Sequence, residues 1–291
     1  MSGVRFKHPT NNNPKMSKAS SCPVADDLSL AIERNELKLP AMPAWAAKVQ
    51  RMLDDFNVSA VQIVSAVSSD PAFVAQLLGM ANSATYTGKP KVDNVNAAVS
   101  RIGYKMLRNL VIAASISQLA SFKKQNLLRY LNEFWAHSRD VAATSYVLAK
   151  SQKHLNPDQA MLAGLIHDIG RLPLLLYIEN KNLVVDDDVM SILIRKCSAH
   201  LGERLLLAWH FPPELVEIPM THEDIHRETE SSRASYADIV TVANMLTRAT
   251  AKVVEWEKLT AVKRIGLEAS LYREFFDRFD KDIAVAREIF P

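Results

Sequence analysis

The chain has 291 residues, 48% of them hydrophobic and 23% charged, which is enough apolar material for one large or two small buried cores and too much for a disordered polymer. A formal net charge of +3 is too mild to require a nucleic-acid partner. Cys22 and Cys197 are too few and too far apart for a disulfide framework, which points to a reducing cytoplasm, and no uninterrupted apolar run reaches the roughly 20 residues of a membrane span.

Glycines are few, eight in all, and apolar residues recur at helical rather than alternating spacing, so the expected fold is all-α. Residues 1–26 read as a solvated basic tail, polar and punctuated by Pro14 and Pro23, with Arg5, Lys7, Lys15 and Lys18. Residues 27–126 read as a first helical lobe. Leu39-Pro-Ala-Met-Pro43 is a stiff entry to an apolar stripe through Trp45, Val49 and Leu53. Ser59 with Gln62 forms a capping-box signature, and Asp70-Pro71 caps the helix that carries Phe73, Leu77 and Met80. After the polar loop from Asn82, two further helices meet at Gly103. Lys105, Arg108, Lys123, Lys124 and Arg129 make this half basic. No aromatic residues are interleaved to stack bases, so a solvated face explains them better than nucleic-acid binding.

Residues 127–291 read as a second helical lobe, organised on Pro157-Asp-Gln-Ala-Met-Leu-Ala-Gly-Leu-Ile-His-Asp-Ile-Gly-Arg171. Asn156, Pro157 and Gln159 occupy N-cap, first-turn and capping-box positions, and Met161, Leu162, Leu165, Ile166 and Ile169 form a broad apolar surface. Gly164 suits a close helix approach, and Gly170 suits a left-handed helix stop. Within this buried helix stand His167 and Asp168. A carboxylate there is costly unless something pairs with it or coordinates it. His137, His200, His222 and Asp238 stand on or beside other predicted helices of this half, and Asp238 is the only charge between Tyr236 and Leu246. Imidazoles and carboxylates are donors that iron, manganese or zinc accept, and helical bundles build such sites from inward-facing side chains. For His210 and His226 an ordinary hydrogen-bonded role is the better reading.

Gly164-Leu-Ile-His-Asp-Ile-Gly170 resembles the signature of the HD superfamily of metal-dependent phosphohydrolases. Leu39-Pro-Ala-Met-Pro43, Asp70-Pro71, Asn82-Ser83, Arg101-Ile-Gly103, Leu107-Arg-Asn-Leu110 and Phe134-Trp-Ala-His-Ser138 narrow the resemblance to HDOD, the HD-related output domain of bacterial signalling proteins, over about residues 39–243. The resemblance implies an all-α, two-lobed bundle with the HD-like lobe second. It also implies metal ligation by His137, His167, Asp168 and Asp238, with His200 and His222 as further ligands of the HD-GYP kind. The loop after His222 has no Gly-Tyr-Pro, and Arg171 replaces the lysine of that branch, which argues against cyclic-dinucleotide hydrolysis.

Three functions follow from this reading. The first is a regulatory module that binds a signalling protein or a small phosphorylated ligand. The second is a phosphohydrolase in which a divalent metal (Fe, Mn or Zn) activates water and Arg171 steadies the phosphate. The third is a nucleic-acid-binding regulator. None of the three involves a membrane.

Overall fold

The computed structural model describes residues 23–34, 36–55, 57–83, 90–119, 122–248, 255–266 and 271–287, and every regular element among them is helical. Most of the expected tail, residues 1–22, lies outside the described residues. Helix α1 (Pro23–Glu33) begins inside the stretch read as tail and buries Ala25 and Leu28 completely. It packs on the second half of the chain, where Asp26 pairs with Lys196 at 3.1 Å, and in the segment after it the Pro40 carbonyl accepts from Trp209 Nε1 at 3.0 Å.

The first half comprises α2 (Ala44–Asp54), α3 (Ala60–Val67), α4 (Pro71–Ala81) and α5 (Val95–Leu119). Both expected caps form. Ser59 and Gln62 complete a reciprocal capping box, and the Asp70 carboxylate accepts from the Phe73 amide at 2.9 Å. Helix α5 is broken at Gly103, whose φ of 80° is open to glycine and strained for other residues. Its second limb buries Leu107, Leu110 and Ile112 against the other three helices and continues to the second half, where Asn109 Nδ2 donates to the Asp158 carbonyl at 2.8 Å. On the basic surface Arg108 pairs with Asp54, and Arg129 with Asp187 at 2.5 Å.

The second half is built on α6 (Gln125–Ala149), α7 (Pro157–Ile166) and α13 (Tyr236–Thr247). Helix α7 is innermost, and residues 160–170 are all buried. Each fully buried Leu, Ile or Met there contributes about 1.5–3 kcal/mol. By mean hydropathy, Pro157–Asn180 is apolar enough to cross a membrane, but its most apolar 18-residue window is 83% buried inside the protein. Helix α8 (Arg171–Asn180) follows directly. Next come α9 (Asp187–Leu193), a π-helical turn (Ile194–Ser198), α10 (Ala199–Ala208), and the short α11 (Pro213–Val216) and α12 (Ile218–Thr221). Beyond α13, α14 (Thr260–Ile265) and α15 (Leu271–Arg287) close the bundle, with Lys150–Asp282 and Arg287–Asp140 pairs holding α15 to α6.

Two local expectations change. Asn156 caps α7 by accepting from the Asp158 amide at 2.9 Å, but Gln159 does not close a capping box and instead donates to Glu214 at 3.2 Å. Gly170 is right-handed (φ −65°, ψ −14°) rather than a left-handed stop. Glycine is required there for proximity, since a Cβ would lie 1.8 Å from the Ser198 carbonyl oxygen and 2.6 Å from the Gly202 nitrogen. Gly164 acts as expected, with a would-be Cβ 2.8 Å from the Ala142 Cα of α6.

Candidate metal centre

His137 projects from the middle of α6, His167 caps the C-terminal end of α7, and Asp168 starts the turn into α8. The α6–α7 contact tightened by Gly164 brings these elements together. One ligand atom from each of the three residues lies within 4.8 Å of the other two, close enough to share a metal ion. The His137 and His167 rings meet edge to face at 5.1 Å, and the His222 ring, at the end of α12, meets His167 the same way at 4.9 Å.

The tautomers follow from the backbone. His167 Nδ1 lies 2.7 Å from the Gly164 carbonyl and His222 Nδ1 lies 3.0 Å from the Ile218 carbonyl, so each Nδ1–H donates and each Nε2 keeps its lone pair. Both Nε2 atoms are buried without a hydrogen-bond partner. They lie 3.4 and 3.5 Å from the two carboxylate oxygens of Asp168, too far for a full hydrogen bond. Burial drives the His167 pKa well below the ordinary imidazole value and that of His137 down to about 4, against the opposing pull of Asp168. Both imidazoles are therefore neutral, the form that ligates. Burial alone would raise the Asp168 pKa. The Arg171 guanidinium, with smaller contributions from His167 and His222, outweighs it and holds the carboxyl well below the usual range.

Arg171 ion-pairs with Asp168 Oδ2 at 2.6 Å from the first turn of α8. The contact lies outside hydrogen-bond geometry, and Arg171 Nε is itself buried and unpartnered. Opposite, Asn244 of α13 is 1% exposed and places Oδ1 3.0 Å from His137 Nε2.

Asp238 is placed differently from its expected role. It is 1% exposed, but it is the third residue of α13 and closes a capping box with Ser235. Arg227 reaches its Oδ1 at 2.8 Å, and Arg264 of α14 grips both oxygens, Nη2 to Oδ1 at 2.6 Å and Nε to Oδ2 at 3.0 Å. These partners offset the effect of burial and keep its pKa low. With every lone pair engaged, Asp238 belongs to a structural clamp, and Asn244 is the α13 residue that reaches the histidines. His200 is exposed on α10 and His210 and His226 are exposed as well, so the histidine brought to the cluster from beyond α8 is His222.

The donor set fits one divalent ion in atom type, because the imidazoles of His137 and His167 and the Asp168 carboxylate are ordinary ligands of zinc, iron or manganese, and the unpartnered Nε2 of His222 stands beside them. It is poor in negative charge, since the single carboxylate already faces a guanidinium and the α13 position carries a neutral amide.

A family model for the HDOD domain matches residues 39–225. The chain is 23% identical over 225 residues to an uncharacterised protein of Treponema pallidum, a match that takes in 72% of this chain and 42% of that protein, so the chain spans less than half the length of this relative. Among solved structures, one from Shewanella amazonensis named a "putative metal-dependent phosphohydrolase" superposes with a TM-score of 0.72 at 23% identity, covering 92% of this chain and 98% of the other. An HDOD domain protein from Geobacter sulfurreducens gives 0.64 at 19% identity, covering 92% and 99%. A "putative signal transduction protein" from Marinobacter aquaeolei gives 0.60 at 20%, covering 92% and 66%. At these identities the superpositions establish a shared fold.

Proposed function

Because the chain belongs to the HDOD family, we propose that it is a regulatory module that reports the occupancy of the His137–His167–Asp168 site to a signalling protein, with little or no phosphoester turnover. The observation that carries this reading is the charge of the site. Among the described residues Asp168 is the one carboxylate that groups with His137 and His167, and Arg171 already balances it. Asp238, the other acidic candidate, is held by Arg227 and Arg264. A bound divalent ion would supply Lewis acidity and lower the pKa of an attached water. His137 and His167 would hold it through neutral nitrogens, Asp168 would orient it, and Asn244 would fix the His137 ring through Nε2 or yield that nitrogen to the ion. Glu223, the acidic neighbour of His222, is paired with Arg248 at 2.8 Å, and among the described residues no other carboxylate joins the cluster as a general base. That favours a binding site over a hydrolytic one.

The second reading, a metal-dependent phosphohydrolase, is favoured by the unpartnered Nε2 atoms of His167 and His222, which leave open two strong donor positions beside Asp168. Metal analysis of protein purified without chelators, combined with hydrolysis of a general phosphoester, separates the two. The module reading expects substoichiometric to single-site metal, lost in Asp168→Ala, and no metal-dependent turnover. Robust turnover that disappears in Asp168→Ala and persists in a folded Asp238→Asn would replace the module with the enzyme.

A further inference from the structure

Two buried aspartates in this half are each held by arginine, and they are held differently. Arg264 grips Asp238 through two nitrogens on two oxygens, and Arg227 and Ser235 fill its remaining positions. The nearest Arg171 nitrogen stands 2.6 Å from Asp168 Oδ2 but off hydrogen-bond geometry, while its Nε is buried without a hydrogen-bond partner. An ionic contact without hydrogen-bond geometry lacks the paired hydrogen bonds that fix a guanidinium on a carboxylate. The side chain is 16% exposed, so one edge meets solvent. Beside it lies a narrow, mostly apolar recess lined by Tyr130, Leu174, Leu175, Met190 and Ile194 together with Arg171 itself. The oxygen that Arg171 occupies, Asp168 Oδ2, also lies 3.4 Å from His167 Nε2, where a metal shared by these two residues would sit. A cation on that oxygen repels a second one and competes for the same lone pair.

We propose that Arg171 is a displaceable counter-ion that keeps the His137–His167–Asp168 site closed to a divalent metal until a small oxyanion takes its guanidinium, so that oxyanion and metal bind with positive cooperativity. A guanidinium suits phosphate-class anions, which offer it the two-point contact that Asp168 does not. Once it has turned toward an anion, Asp168 is free to ligate. Linkage makes the effect reciprocal, since an anion that tightens metal binding is itself tightened by the metal to the same factor. The site would then respond to a coincidence of two ions. This inference rests on the reading of the cluster as a metal site.

The test is Mn²⁺ titration of the chelator-stripped full chain, followed calorimetrically, with and without inorganic phosphate. Sulfate serves as a second oxyanion and chloride balances the ionic strength. The wild type is expected to bind Mn²⁺ roughly tenfold more tightly with saturating oxyanion, within the usual range of coupling between sites. Arg171→Gln is expected to show that tighter binding without oxyanion and to lose the response, with Arg171→Lys in between. The wild-type comparison needs no variant, so it stands even if Arg171→Gln folds poorly. Mn²⁺ affinity that is unchanged by oxyanion and by Arg171→Gln would sink the counter-ion proposal while leaving the metal site intact. An oxyanion response that survives in Arg171→Gln would also sink it. No Mn²⁺ binding by any of the proteins under any condition would overturn both the proposal and the metal reading.

Discussion

Replacing Gly170 by alanine adds one methyl group where the start of α8 meets the backbone of the π-helical turn and α10. The new Cβ would stand 1.8 Å from the Ser198 carbonyl oxygen and 2.6 Å from the Gly202 nitrogen, both backbone atoms that cannot rotate away. Restoring ordinary contact requires the start of α8 and the π-helical turn to part by roughly 1.5 Å, which loosens packing along both elements. Overpacking typically costs 1–3 kcal/mol, and backbone obstruction places this site at the upper end. The right-handed conformation of Gly170 returns at most about 1 kcal/mol through the better helix propensity of alanine. The net expectation is a loss of about 2–3 kcal/mol, or a fall in Tm of roughly 4–12 °C for a chain of this size. Urea unfolding by linear extrapolation measures it, and Gly79→Ala in α4 is the control. Nothing lies within 4 Å of a Cβ at Gly79, so there the propensity gain should appear as stabilisation of about 0.5–1 kcal/mol. Equal stabilities for Gly170→Ala and wild type would refute the proximity argument.

Asp238→Ala strips a carboxylate from two part-buried guanidinium groups and should cost about 3 kcal/mol in urea unfolding, the lower end for a buried pair; a change below about 1 kcal/mol would mean the clamp contributes nothing. The lowered pKa values of Asp168 and Asp238 give stability that is present above the unfolded carboxylate value near 4 and is lost as pH falls below it. Unfolding at pH 3 should therefore narrow the gap between wild type and Asp238→Asn, and a constant gap would contradict the assignment. His137 has the opposite chemistry with the same outcome: a folded pKa of about 4 against roughly 6.5 unfolded makes metal-free protein lose stability as pH drops between those values. An NMR titration that finds a His137 midpoint between pH 5.5 and 7 would refute its burial as a neutral ring. Asn244→Asp places a carboxylate against His137 and should tighten Mn²⁺ binding by roughly tenfold; weaker binding would show that the amide itself is the better ligand.

Helices were legible wherever apolar spacing and a cap agreed, as at Ser59–Gln62, Asp70 and Asn156. His167 and Asp168 drew attention because a buried carboxylate beside a histidine demands a partner, whereas His137 was picked out from the other histidines only by the family resemblance. Asp238 misled because solitary charge within an apolar run suits a ligand and an ion-paired cap equally well. Ser235-Tyr-Ala-Asp238 carries the capping-box signature, and that signal pointed to the cap. Asn244 escaped notice because an amide is not sought among metal ligands, although with Ala237 and Val240 it continues one face of α13 at i, i+3 and i+7 spacing. The ion pair of Arg171 with Asp168 was within reach, since residues three apart share a helix face. Gly170 could not be read correctly from sequence, because the atoms that exclude its side chain belong to a helix about thirty residues away.

Helix α13 bears on where this protein can be cut. The family match ends at residue 225, yet α13 begins at Tyr236, and its Ala237, Ile239, Val240, Val242 and Ala243 are fully buried against α6 and α7. A fragment ending at the family boundary would leave the corresponding faces of α6 and α7 open to water and His137 without Asn244. Domain limits drawn by sequence similarity and the cooperative folding unit therefore differ here. Fragments made for partner screening or crystallisation should run at least through α14, so that Arg264 is retained with the aspartate it clamps.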